Sequence, residues 1–173
     1  RVVGLDKDYK IVESLAISDR ATGIDTSTDG RLIAISDTAA NKVIIHEYLG
    51  DRWRMSVMSG IGYPYDIFVD VQKNIWVTNK LGNQLQVFPF GSRIPIVLIA
   101  GQGQKTIKQV NDRTLGIVCT ESNEIVMIDT RTKAIVNRMP IKLPVDMSVQ
   151  GKTMYIANVY NEIYRIDRAK TND

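Results

Sequence analysis

An all-β chain assembled from repeated, four-stranded antiparallel units is the fold this sequence predicts. Three observations predict it. One motif returns at a nearly constant interval: Asn41-Lys-Val-Ile-Ile-His-Glu, Asn83-Gln-Leu-Gln-Val-Phe, Asn123-Glu-Ile-Val-Met-Ile-Asp and Asn161-Glu-Ile-Tyr-Arg-Ile-Asp. The runs around it alternate Ile, Val, Thr and aromatic residues at period two, the pattern of a half-buried pleated strand. No segment carries a helical period of apolar residues.

Each unit reads in the same order. A first alternating run ends in a tight turn: Thr28-Asp29-Gly30, Gln72-Lys73-Asn74, Asn111-Asp112-Arg113 or Gln150-Gly151-Lys152. Asp-Gly and Gly supply the positive φ values that hairpin turns require. A second run follows, namely Leu32-Ile-Ala-Ile-Ser-Asp37, Ile75-Trp-Val-Thr-Asn79, Gly116-Ile-Val-Cys-Thr-Glu121 or Met154-Tyr-Ile-Ala-Asn158. After a short loop comes the Asn-led third strand, then a longer turn and a fourth. In the first full unit this places strands at 22–26, 32–36, 43–48 and 53–58. Four strands in a period of about 40 residues are the signature of a β-propeller blade. One such blade cannot bury both of its faces alone, so blades stack around an axis and bury them against each other. The expected domain spans 1–173, with about four repeats bounded at 1–17 (partial), 18–60, 61–104, 105–142 and 143–173 (partial).

Tyr65-Asp-Ile-Phe-Val-Asp70, Asn74-Ile-Trp-Val-Thr-Asn79 and Gly82-Asn-Gln-Leu-Gln-Val-Phe88 together resemble an NHL repeat. Trp76-Val-Thr-Asn79 and Tyr155-Ile-Ala-Asn158 are similar to the tetrapeptide that names the YVTN repeats. The resemblance implies a propeller fold. It leaves function open, because the family spans interaction modules, RNA-binding modules and a few enzymes.

The two ends repeat one another. Val2-Val-Gly-Leu-Asp6 followed by Tyr9-Lys-Ile-Val-Glu13 matches Val126-Met-Ile-Asp129 followed by Lys133-Ala-Ile-Val-Asn137. The chain therefore opens on a third strand and closes on another, Ile163 to Asp167. An arc of a larger propeller is expected, since a closed four-bladed ring has no place for a duplicated third strand. The ring is the alternative. Arg1 in first position points to removal of something upstream or to a piece of a longer protein.

Composition narrows the chemistry. Of 173 residues, 44% are hydrophobic and 24% charged, which excludes disorder as the main state. The longest strongly apolar run, Ile94 to Ala100, contains Pro95 and is far too short to span a bilayer as a helix. The net charge of +3 is spread among interspersed acids, so nucleic-acid binding is permitted but not indicated. Cys119 is alone and sits in an apolar stretch, which reads as core filling and rules out an intrachain disulfide. His46 is the only histidine, which removes any multi-histidine metal site. No catalytic residue, metal site or cofactor is expected.

The candidate site is one rim of the propeller. Loops between second and third strands and connections between blades meet there, and binding residues concentrate on loops held by a rigid scaffold. The candidate partner-binding residues are Arg20, Tyr63, Tyr65, Lys80, Lys105 and Tyr160. Tyrosine supplies contact area at low entropic cost, and Arg or Lys supplies charge. Asn41, Asn83, Asn123 and Asn161 are read as structural loop corners, because Asn tolerates the left-handed region. Asp37, Asn79, Glu121 and Asn158 recur just before the loops, but two carboxylates in four positions make a poor calcium ring. Gly101-Gln-Gly-Gln104 is read as an inter-blade turn. Asp66 and Asp146 sit near the starts of first strands, which line the axial channel, and paired carboxylates can do acid–base work.

The expected function is a non-catalytic scaffold for protein–protein interaction or self-assembly through the rim. A truncated lactonase- or lyase-like enzyme is the first alternative. An NHL-type RNA-binding module, with Arg20, Lys80, Lys105 and Lys142 gathered on one face, is the second.

Overall fold

A computed structural model describes residues 2–5, 7–15 and 20–167 of the protein. All of its regular structure is strand. A hairpin of β1 (Val2–Leu5) and β2 (Ile11–Leu15) comes first. It corresponds to the expected third and fourth strands of a partial blade, of which Asp6 and Ala16 lie outside the described residues. Blade one contains β3 (Ala21–Thr26), β4 (Leu32–Asp37), β5 (Lys42–Tyr48) and β6 (Trp53–Ser59). Blade two contains β7 (Pro64–Val69), β8 (Ile75–Asn79), β9 (Gln84–Phe88) and β10 (Ile96–Ile99). Blade three contains β11 (Gln104–Asn111), β12 (Thr114–Cys119), β13 (Glu124–Asp129) and β14 (Ile135–Pro140). Blade four holds β15 (Pro144–Gln150), β16 (Thr153–Asn158) and β17 (Ile163–Asp167). Every sheet is an antiparallel meander in chain order, and the first strands β3, β7, β11 and β15 stand next to one another.

The register repeats from blade to blade. Ala21 faces Asp37, Pro64 faces Asn79, Gln104 faces Cys119 and Pro144 faces Asn158, each followed by an irregularity in the ladder. Beyond it, Ile24, Ile67, Ile107 and Met147 face Ile35, Val77, Ile117 and Ile156. Ala34, Trp76, Gly116 and Tyr155 thus share one position, and Val43, Leu85, Ile125 and Ile163 share another.

Among the described residues, the core is three apolar layers between successive blades. Leu32, Ala34, Val43 and Met58 of blade one pack with Ile67, Val69, Ile75 and Val77 of blade two. Trp76, Leu85 and Val87 meet Ile107, Leu115 and Ile117 of blade three. Val118, Ile125 and Met127 share a layer with Met147, Met154 and Ile156 of blade four. The pleat explains the division, because successive side chains point to opposite faces of a sheet. Ile75 and Val77 turn back toward blade one while Trp76 turns forward. Blade four shows what happens without a following blade among the described residues. Val43, Leu85 and Ile125 are 0% exposed, whereas Ile163 is 73% exposed. Trp76 is 0% exposed and Tyr155 is 37%.

Hydroxyl groups sew the blades together. Ser36 Oγ donates to the carbonyl of Tyr65 at 2.9 Å, and the matching Thr78 Oγ1 donates to that of Lys105 at 2.7 Å. One loop position on, Thr38 and Thr120 donate to the carbonyls of Pro64 and Pro144, each at 2.6 Å. These bonds satisfy carbonyls at the inner-strand starts. They also hold the loops of the upper rim against the neighbouring blade.

Candidate interaction rim

The upper rim is built from the loops after β4, β8, β12 and β16 and from the connections entering β7, β11 and β15. Its corners are held by asparagine. Asn41, Asn123 and Asn161 adopt φ values of 51°, 57° and 64°. The Oδ1 of Asn41 accepts the N–H of Tyr63 at 2.8 Å, and that of Asn123 accepts the N–H of Leu143 at 2.8 Å. Tyr63 and Leu143 are themselves at positive φ, 52° and 43°. Asn41 and Asn123 thus clamp the chain where it crosses into the next blade. Asn83 does not share the positive φ; only its carbonyl contributes, accepting the N–H of Ala100 at 2.9 Å. Asn123→Ala is therefore expected to cost about 0.5–1.5 kcal/mol for the hydrogen bond, with backbone strain added. Asn83→Ala should stay below that in a urea titration.

The candidate partner-binding residues fall into distinct settings. Arg20 and Tyr160 are exposed, and Tyr63, Tyr65, Lys80 and Lys105 are half-buried. Lys80 Nζ sits 5.1 Å from the centre of the Tyr65 ring, and Lys142 Nζ sits 4.7 Å from that of Tyr160. These are cation–π contacts, which hold a flexible lysine over a ring. Tyr65 and Lys105 lie on the inner strands β7 and β11 rather than on loops. Residues 18 and 19, in the connection expected to lead into blade one, lie outside the described residues. A depression of about 390 Å³ between blades one and two is lined by Asn41, Gly62, Tyr63, Asn79, Leu81 and Gly82. Leu81, a large apolar side chain at the loop tip, is 75% exposed and was not singled out in the sequence. Its signal there is an apolar residue inside a Lys-Leu-Gly-Asn loop.

The oxygens before the loops are engaged locally. Asp37 Oδ1 accepts the N–H of Ala40, Asn79 Oδ1 that of Leu81, and Asn158 Oδ1 those of Tyr160 and Glu162. The register corrects the fourth member of this set: Cys119, not Glu121, occupies the position. Cys119 is fully buried, and burial pushes its thiol up to about 12. It is a core residue, as its apolar surroundings in the sequence imply. Gly101 to Gln104 is the turn into β11. Gly103 has a φ of 65°, and the buried Gln104 amide donates to the carbonyl of Gly101 at 3.1 Å.

The carboxylates of the inner strands also act as staples. Asp25 Oδ2 accepts the N–H of Val69, in the next blade, at 2.8 Å. Asp66 Oδ1 accepts the N–H of Ile67 at 2.9 Å, and its Oδ2 accepts that of Ile107, again in the next blade, at 3.0 Å. Burial raises the Asp66 pKa; the two N–H bonds and the Lys108 charge oppose the rise, and the Asp146 charge adds to it. Gly23 makes room for this residue: a Cβ there would stand 2.9 Å from both the Cα and Oδ1 of Asp66. Asp146, itself exposed, repeats half of the arrangement by accepting the N–H of Met147 at 2.8 Å. His46, on β5, is buried. Among the described residues, no group of three or more His, Cys, Asp or Glu is placed to hold a metal ion.

No family model and no curated protein matches the chain. Solved structures do. The streptogramin B lyase structure is 18% identical with a TM-score of 0.72, over 97% of this chain and 62% of the other. A putative 6-phosphogluconolactonase from Bacteroides uniformis is 15% identical with a TM-score of 0.74, over 97% and 60%. The Cps50 (Swd1) β-propeller domain of Myceliophteria thermophila is 12% identical with a TM-score of 0.77, over 96% and 58%. At these identities the likeness concerns the fold, which is a β-propeller with antiparallel four-stranded blades. The chain spans about three fifths of the length of these three structures. No helix among the described residues is long and apolar enough to cross a membrane.

Proposed function

We propose that the chain is a non-catalytic propeller scaffold, of the NHL/YVTN kind, that engages a protein partner through its upper rim. The observation that carries this reading is the pairing of exposed or half-exposed tyrosines with lysines at the upper rim. Tyr65 with Lys80 and Tyr160 with Lys142 present aromatic area and positive charge on a preorganised surface. Aromatic anchors with little conformational freedom are the groups that dominate protein interfaces. The treatment of Asp66 supports the same reading. Both of its oxygens are bonded to backbone N–H groups, so the carboxylate best placed near the axis is committed to joining blades.

The test is a binding measurement with a partner isolated by cross-linking to the wild-type rim. Replacing Tyr63 and Tyr65 together with alanine is expected to weaken that binding by about 1–4 kcal/mol. The melting temperature should stay nearly unchanged, since neither ring belongs to an inter-blade core layer. Normal binding by the double variant, or metal-dependent turnover of a lactone or ester by the wild type, would overturn the proposal.

A further inference from the structure

The lower face, opposite the rim, carries a cleft of about 560 Å³ between the outer strands of blades one and two. That volume is within the range of small-molecule sites. Its floor is core: Leu32, Met58, Ile75 and Phe88 contribute buried apolar side chains to it. The opening has a local cause. Arg54, Ser56 and Met58 alternate onto one face of β6, and only Met58 is apolar, so the layer between the blades stops there.

The mouth is shaped by the turn after β9. The N–H of Phe90 is bonded to Asn74 Oδ1 at 3.2 Å, and the ring, 52% exposed, stands at the edge of the cleft. Lys73 Nζ lies 5.6 Å from that ring's centre and 2.7 Å from Asp29 Oδ2. Two of the three cations around the cleft are therefore committed: Lys73 to Asp29, and Arg54 to Glu47. Arg93, exposed at the mouth, has no ion-pair partner among the described residues.

We propose that this cleft binds a small amphipathic carboxylate, its apolar body on the Leu32–Met58–Ile75–Phe88 floor and its carboxylate on Arg93. An apolar floor recovers the hydrophobic free energy of the body. A guanidinium with unused donors matches a carboxylate bidentately. One uncommitted cation favours a monoanion, whereas a polyphosphate would call for several.

The test uses decanoate and 1-decanol, below their aggregation limits, titrated calorimetrically into the wild-type chain. Decanoate should saturate one site, and decanol should bind at least tenfold more weakly. Arg93→Glu should weaken decanoate by about tenfold or more, the effect of losing a charge-assisted hydrogen bond, and leave decanol unchanged. Arg93→Lys should recover only part of the affinity, because an ammonium keeps the charge but not the bidentate fork. Ser56→Trp should fill the cleft and remove both ligands. Because Arg93 is exposed, its variants should keep the wild-type melting temperature. Absence of saturable decanoate binding overturns the proposal, as does equal affinity for acid and alcohol, or decanoate binding indifferent to Arg93→Glu.

Discussion

Trp76→Ala is expected to lower the unfolding free energy by about 3–5 kcal/mol, the range for truncating a large buried aromatic side chain. Tyr155→Ala, at the matching position of blade four, should cost under about 1 kcal/mol, as for substitutions away from the core. The two residues share a register, opposite Phe68 and Ser148 respectively. Their surroundings differ. Trp76 is enclosed by blade three, and Lys133 Nζ stands 5.2 Å from the ring centre. Its indole N–H donates to Asp70 Oδ2 at 2.9 Å. Asp70 is itself buried and accepts the N–H groups of Gln72 and Asn74 and the Asn74 amide, which fixes the β7–β8 turn. Losing the ring therefore opens a cavity and removes one of the donors to a buried carboxylate. A urea titration of both variants checks the contrast, and equal losses would refute the assignment of blade four's open face.

Asp66→Ala is expected to be the next most costly change. It leaves the N–H groups of Ile67 and Ile107 without their acceptor, at about 1–3 kcal/mol for each that stays unsatisfied. The wild type should also show a pH dependence that this variant lacks. Burial raises the Asp66 pKa in the folded state above 3.8. The native state therefore holds the proton more tightly than the unfolded chain does. Its contribution is fully present below the unfolded pKa and is lost as pH rises through the folded value. The stability difference between wild type and Asp66→Ala should therefore shrink as pH rises from 3.8 through that folded value. Asp29, Asp129, Glu162 and Asp167 shift the other way, held low by hydrogen bonds to Lys73, Thr132, Asn158 and Thr153. For that reason the difference between the two proteins is the informative quantity. A difference that grows with pH across this window would contradict the burial argument.

Strand placement was legible because it is local. The expected strands 22–26, 32–36, 43–48 and 53–58 of blade one stand at 21–26, 32–37, 42–48 and 53–59. Period-two alternation and turn residues act over a few positions, so the sequence displays them directly. The loops were legible for the same reason, being what remains between the strands, but Tyr65 and Lys105, read as loop residues, stand on β7 and β11. The clamping role of Asn41 and Asn123 was not, since their N–H partners lie 22 and 20 residues away, across a blade boundary. The place of Cys119 in the recurring set was also hidden. Motif spacing pointed to Glu121, but the ladder pairs Cys119 with Gln104.

By itself, the amino-acid sequence determined the all-β class, the repeat, the strand order within each blade and the loops that make the rim. Tertiary structure alone decided which residues are buried, which carboxylates join blades and where a cleft opens. The physical reason is that a strand's pattern records only that one face is apolar. What covers that face is another blade, contributed by residues some 40 positions away. Trp76 and Tyr155 occupy equal places in equal strands, and only the presence of blade three beside the first makes one of them core. Asp66 and Asp146 likewise accept the same local N–H, and only Asp66 meets a second one, from Ile107.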